Sequence, residues 1–205
     1  MQALRLSYSY LPFRLQQCFS HYALFPEDYE FDSKELIHLW IGLGLLGPDN
    51  QNKRIEDIGA DYLKGLVNHG FFQEEKNADG HTYYVIHDLL HDFAVHVSAY
   101  ECLSLKIFNL RSIQIPASIR HFSIIIENEA VQDRGTFESC IKDLYTLDYH
   151  RSFCKSFGDI FGEAKALRVI FLSGPSYDVE DLLHNFSKLV HLRYLRIKGT
   201  IYNER

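Results

Sequence analysis

Four short segments of this chain share one form, with apolar residues at their first, fourth and sixth positions. They are Ile119–Ile124, Leu144–Tyr149, Leu167–Leu172 and Leu192–Ile197, and their starts are separated by 25, 23 and 25 residues. The last two agree further, LRVIFLSG against LRYLRIKG, down to Gly174 and Gly199. A period of 20 to 29 residues with the form LxxLxL is a leucine-rich-repeat signature. Each unit supplies a short strand whose alternate residues face a core, and it buries that face only against its neighbours. The first two segments are degenerate, the second ending on a tyrosine. The chain stops eight residues after the fourth. A repeat array ending without a polar cap predicts a piece of a longer product, or a truncated copy of one.

The charge changes along the chain and suggests where the array begins. The 205 residues carry a net charge of −6, yet residues 27–101 carry −10 and residues 102–205 carry +2. Such a shift predicts two units with different surfaces, 1–101 and 102–205. The acidic first unit reads as helices followed by a hairpin. Pro12 can open a helix over Phe13–Leu24, since a missing N–H costs nothing in a first turn. Asp32 or Ser33 can cap a second helix with Glu35 in its first turn. Its apolar face holds Leu36, Ile37, Leu39, Trp40, Leu43 and Leu46, and Gly42, Gly44, Gly47 and Pro48 end it. Ile55, Ile58, Tyr62, Leu63, Leu66 and Val67 recur at helical spacing up to Gly70. Phe71–Gln73 and Tyr83–Ile86 flank an Asp79-Gly80 turn and predict a hairpin. Asp88 can cap a final helix, Leu89–Tyr100. Three helices, a two-stranded wing and a fourth helix make the plan of a winged-helix domain. The fold class read from the whole chain is α+β, a winged helix followed by the start of a leucine-rich-repeat α/β solenoid.

Little in the chain supports catalysis. His87 and His91 stand at i and i+4, a spacing that can hold zinc on one helix face. The residue after His87 is Asp88 where the zinc-protease pattern needs Glu, and His96 lies at the wrong distance for a third ligand, so no metal site and no catalytic residue is read here. There is no phosphate loop of the GxxxxGK[ST] form and no GxSxG elbow. Paired acids such as Glu74-Glu75 and Glu180-Asp181 sit in polar surroundings. A winged helix often binds DNA, but the third helix sets Glu56, Asp57 and Asp61 against Arg54 and Lys64, and an anionic face repels phosphates. Nucleic acid is therefore not expected as a partner. No apolar run reaches 18 residues, so no membrane span is expected. The four cysteines, Cys18, Cys102, Cys140 and Cys154, are scattered, and the N-terminus has no secretory pattern. A reducing cytoplasmic compartment is the expectation, and the Asn185 sequon is read as chance.

The run CFSHYALFPEDYEFDSKELIHLWIGLGLL, Cys18 to Leu46, closely resembles a motif of plant nucleotide-binding leucine-rich-repeat disease-resistance proteins of the coiled-coil class. LRLSYSYLP (Leu4–Pro12), RIEDIGADYLKGLVNHGFFQ (Arg54–Gln73) and YVIHDLLHDFA (Tyr84–Ala94) resemble the same family, in the family's order. The resemblance implies that the winged helix is part of a nucleotide switch rather than a DNA reader. The family's Met-His-Asp motif falls on Ile86, His87 and Asp88. It implies that His87 reaches the β-phosphate of ADP and holds an inactive state, with Asp88 as a supporting helix cap. Exchange of ADP for ATP would then open the receptor. The repeats would recognise a pathogen effector or a guarded host protein, or hold the switch shut. Three residues depart from the family pattern: Ile86 replaces Met, Tyr22 stands where a second Cys is common, and His21 where an aromatic residue is common. The phosphate loop and the rest of the nucleotide domain would lie upstream, so no cofactor is expected for this chain alone, and His87 would need that domain in cis or in trans. The expected function is a regulatory and protein-interaction segment of an innate-immune receptor. Because Met1 directly precedes the first motif, a free-standing adaptor or decoy for other receptors is the alternative.

Overall fold

The structure is a computed structural model that describes residues 2–47, 53–107, 118–126, 146–150, 166–178, 184 and 186–202. Leu144, Cys140, Cys154, Glu180-Asp181, Asn185 and Pro48 lie outside the described residues. The chain divides into two compact units, Met1–Ala99 and Tyr100–Arg205. Helices fill the first and a parallel sheet the second, so the class is α+β.

The first unit opens with a helix that the sequence pattern does not announce, α1 (Gln2–Tyr10). Leu4, Leu6, Tyr8 and Tyr10 alternate with other residues, a period that reads as readily as a strand. Helix α2 (Phe13–Ser20) follows, with Pro12 as its N-cap residue and the Pro12 carbonyl receiving the N–H groups of Leu15 and Gln16. The expected continuation to Leu24 is instead a 3₁₀ turn, His21–Leu24. The His21 ring donates through Nδ1 to the Gln17 carbonyl at 2.8 Å. His21, Tyr22, Ala23 and Leu24 are all buried; with three residues per turn their side chains point all round the axis, so the turn is enclosed on every side.

Helix α3 (Ser33–Leu43) begins at Asp32, whose carboxylate accepts the Lys34 N–H at 2.8 Å. It ends at Gly44, left-handed at φ 76°, and the Leu45 N–H returns to the Trp40 carbonyl at 3.0 Å. This is a Schellman stop, which favours glycine. Helix α4 (Ile55–Asn68) packs on α3. The contact is close because Gly59 faces Ile37 and Leu46; a Cβ there would stand 2.5 Å from Ile37 Cγ2.

Strands β1 (Gln73–Lys76) and β2 (Thr82–Val85) pair antiparallel, Gln73 against Val85. The Asp79-Gly80 turn sits inside a five-residue loop, Asn77–His81. The Asn77 side chain organises it by accepting the N–H groups of Asp79 and His81 at 3.1 and 2.8 Å. Helix α5 (Asp88–Ser98) closes the unit. The core is aromatic. Phe19, Phe71 and Phe93 gather around Tyr8, while Phe25, Phe31 and Phe72 surround Tyr22, all the phenylalanines being buried. Trp40 lies over Phe72 and donates its indole N–H to the Cys18 carbonyl at 3.2 Å.

The second unit is a five-stranded parallel sheet in sequence order: β3 (Cys102–Ile107), β4 (His121–Ile126), β5 (Thr146–His150), β6 (Val169–Asp178) and β7 (Tyr194–Tyr202). Its register carries the repeat. The fourth positions of the four segments pair across the sheet, Phe122 with Leu147, Leu147 with Ile170, Ile170 with Leu195. The sixth positions form a parallel file, Ile124, Tyr149, Leu172 and Ile197. Strand β3 adds a fifth member that the sequence pattern did not include, Leu103 standing beside Phe122. Burial departs from simple alternation. In β6, Val169, Ile170, Phe171 and Leu172 are all buried, as in a sheet covered on both faces, whereas Leu195 of β7 is exposed.

Gly59→Ala tests the close α3–α4 approach. Alanine gains about 1 kcal/mol of helix propensity, but overpacking against Ile37 costs about 1–3 kcal/mol. Denaturant unfolding should show a net loss of stability. A stabilised variant would mean that the helices are not held this closely.

Candidate functional site

His87 lies just past β2, at the N-cap of α5, with extended backbone (φ −84°, ψ 167°). Its carbonyl accepts the N–H groups of Leu90 and His91, both at 3.0 Å. Asp88 is thus the first residue inside the helix rather than its N-cap. Its carboxylate still works at the helix start, taking the Leu89 N–H at 2.6 Å. The boundary moves by one residue because His87, not Asp88, has the extended backbone that an N-cap requires. Ile86 is fully buried and fixes the junction from below.

The His87 ring is 43 % exposed and meets acceptors at both nitrogens. Nδ1 donates to Asp28 Oδ1 at 2.6 Å. Nε2 lies 3.0 Å from Gln73 Oε1 and 3.5 Å from Glu75 Oε1, both on β1. The hydrogen bond to Asp28, with smaller help from its charge and from Glu75, raises the His87 pKa above the ordinary histidine value of 6.5. Glu75 is shared: its other oxygen accepts the Tyr83 hydroxyl at 2.6 Å, which pushes that phenol up to about 12.

Asp28 comes from the segment between the 3₁₀ turn and α3, to which the sequence pattern assigns no element. Two devices pin that segment. Phe31 and Tyr84 exchange backbone hydrogen bonds at 2.9 and 2.8 Å, adding a one-residue bridge to β2. The buried Tyr22 hydroxyl donates to the Tyr29 carbonyl at 2.5 Å and receives the Ile86 N–H at 3.4 Å. Burial pushes this phenol well above its ordinary pKa, so it stays a neutral donor and acceptor. Asp28 itself is left-handed, φ 56°, a conformation that Asp and Asn tolerate better than other side-chain-bearing residues. Sequence reasoning found His87 and Asp88 and missed Asp28, Gln73, Glu75 and Tyr22. The alternation in β1 could have placed Gln73 and Glu75 on one face. Nothing local signals that Asp28 reaches across to His87.

The other histidines of α5 go elsewhere. The His91 Nε2–H donates to the Phe25 carbonyl at 2.9 Å, and His96 accepts from Arg5 at 2.6 Å. Among the described residues no group of His, Cys, Asp and Glu is arranged to hold a metal ion.

The raised pKa gives a pH dependence with a definite sign. The attraction of protonated His87 for Asp28 and Glu75 is fully present below 6.5 and is lost as pH rises through the higher folded-state value. The stability difference between wild type and His87→Gln should therefore be larger at pH 5.5 than at pH 9. For so exposed a pair it stays below about 1 kcal/mol. A difference that is flat, or that grows with pH, would contradict the ion pairing.

Comparison with known proteins bears on this geometry. The disease resistance protein winged-helix domain family matches residues 24–94. A protein of Arabidopsis thaliana named for disease resistance, At3g14460, is 41 % identical over all of this chain, which spans 14 % of that protein's length. Disease resistance protein RGA2 of Solanum bulbocastanum is 45 % identical over 46 % of the chain, corresponding to 10 % of its own length. RGA1 of the same plant, also named for disease resistance, is 30 % identical over 97 % of the chain and 17 % of its length. The chain spans less than a quarter of each of these relatives. With a winged helix built around the His87 junction and relatives of this kind along its whole length, the chain belongs to the plant nucleotide-binding leucine-rich-repeat disease resistance proteins and carries their winged-helix domain.

Proposed function

We propose that this chain is a regulatory and protein-interaction segment of a plant innate-immune receptor, a switch and binding element rather than a catalyst. The winged helix, read as a domain over 1–101, holds the nucleotide-bound off state. The repeats, read as the N-terminal part of a leucine-rich-repeat solenoid over 102–205, contact a pathogen effector or guarded host protein, or keep the switch shut.

The observation that carries this reading is the His87 ring. It is half exposed, stands at a helix N-terminus, and donates to Asp28, which raises its pKa above the ordinary histidine value. An imidazolium beside a helix N-terminus suits a phosphate oxyanion. His87 fits the role of a phosphate contact, and Asp88 supports it by bonding the first turn of α5. ADP, when held by an upstream nucleotide domain, supplies the negative charge that makes this contact favourable. Only contacts that differ between the on and off states can bias such a switch. His87 is suited to that, because the Nε2 partners Gln73 and Glu75 are part-exposed side chains on a short strand. The solenoid reading rests on the shared register of the repeat positions across β4–β7.

DNA binding is disfavoured by the charges of α4. Lys53 pairs with Asp61 at 2.9 Å, and Arg54 is bidentate on Asp57 at 3.0 Å, so the basic groups at the start of that helix are engaged by its own acids. No helix among the described residues is long and apolar enough to cross a membrane, and the proposed site of action is the cytoplasm. A free-standing adaptor that binds other receptors would use the same surfaces.

The test is nucleotide retention by a complete receptor carrying this segment. His87→Ala should lose most of the co-purified ADP and raise resting activity. Unchanged nucleotide content and unchanged resting activity would refute the assigned role.

A further inference from the structure

The His87 ring has two faces that are held unequally. On the Nδ1 side there is one short contact, 2.6 Å to Asp28 Oδ1. On the Nε2 side there are two longer ones, 3.0 Å to Gln73 Oε1 and 3.5 Å to Glu75 Oε1. The anchors of the two sides also differ. Asp28 lies in a segment fixed by the Phe31–Tyr84 bridge and by the Tyr22 hydroxyl. Gln73 and Glu75 stand on the four-residue strand β1, and Glu75 already has the Tyr83 hydroxyl as a second partner at 2.6 Å. Releasing Nε2 would leave Glu75 hydrogen-bonded to Tyr83, while releasing Nδ1 would break the shortest contact of the ring.

From this asymmetry we infer that Asp28 is the positioning residue of the switch histidine: it keeps Nδ1 protonated and turned inward, so that Nε2–H is the donor that exchanges Gln73 and Glu75 for an incoming phosphate oxygen. The inference rests on the phosphate-contact reading of His87 and adds the residue that orients it. It also fixes which contacts break. In this structure β1 supplies the acceptors for Nε2, and an incoming anion would take their place. Asp28 stays bound throughout, and its hydrogen bond to Nδ1 favours the protonated ring. The charged and titratable groups around the ring are Asp28 from the pinned segment, Glu75 from β1 with Tyr83 of β2 behind it, and Asp88 following it in α5.

Asp28→Asn isolates the charge, since Asn tolerates the left-handed backbone and still offers a side-chain oxygen to Nδ1–H. The measurement is a pH titration of the whole 205-residue chain with ¹⁵N-labelled histidine, His87 being assigned by its disappearance in His87→Gln. In the wild type the two ring nitrogens should pass from the imidazolium to the neutral signature with a midpoint above 6.5. Asp28→Asn should lower that midpoint while the other histidine resonances stay in place. Glu75→Gln should move it less. An unchanged His87 midpoint in Asp28→Asn, or a larger shift in Glu75→Gln, would overturn the assignment.

The two readings fail separately. If Asp28→Asn shifts the ring as expected but His87→Ala leaves receptor nucleotide content intact, the phosphate role fails and the local positioning stands. If His87→Ala empties the receptor but Asp28→Asn leaves the His87 midpoint unchanged, the positioning role fails alone.

Discussion

The winged-helix unit depends on how the Pro26–Phe31 segment is fastened to the end of β2. A backbone bridge between Phe31 and Tyr84 and the buried hydroxyl of Tyr22 do this together. Without them the segment would be an exposed acidic loop, and Asp28 would have no reason to meet a histidine 59 residues away. The fastening is inexpensive in hydrogen bonds but set in a demanding environment. Tyr22 packs among Phe25, Phe31 and Phe72, and its hydroxyl must be satisfied there because a buried unpaired polar group costs about 1–3 kcal/mol.

The 3₁₀ turn His21–Leu24 is what brings that hydroxyl into position. With three residues per turn the four side chains point in all directions from the axis, and all four are buried, so the turn is enclosed by the rest of the unit. The departures from the family pattern at His21 and Tyr22 fall in this turn. Each has a structural use: the His21 ring closes on Gln17, and Tyr22 joins the Tyr29 carbonyl to the Ile86 amide. A cysteine at position 22 could not span both groups.

Much of this was legible in the sequence wherever the information is local. A cap at Asp32 or Ser33, a glycine stop and the α4 periodicity follow from neighbouring residues, and the structure selects Asp32 and Gly44; the hairpin also forms, with its first strand at Gln73–Lys76 rather than Phe71–Gln73. The spacing of 25, 23 and 25 residues was legible as well, and the fourth positions it marks pair across the sheet, Phe122, Leu147, Ile170 and Leu195. What escaped was long-range or ambiguous in period. Helix α1 alternates like a strand. Strand β3 extends the sheet by pairing with β4, although its own segment was not among the repeats. At the candidate site, His87 and Asp88 were found through a motif, with the helix boundary one residue off. Asp28, Gln73 and Glu75 are joined to His87 only by the fold. Periodicity cannot see a contact that depends on a left-handed residue in an irregular segment.

Amide hydrogen exchange of the whole chain tests the fastening most directly. The amides of Phe31 and Tyr84, bonded to each other's carbonyls, and the buried Ile86 amide should be protected together, at a level comparable with the interior of α3. If Phe31 exchanges as fast as an exposed loop amide while α3 is protected, the segment is not pinned, and the placement of Asp28 on His87 falls with it.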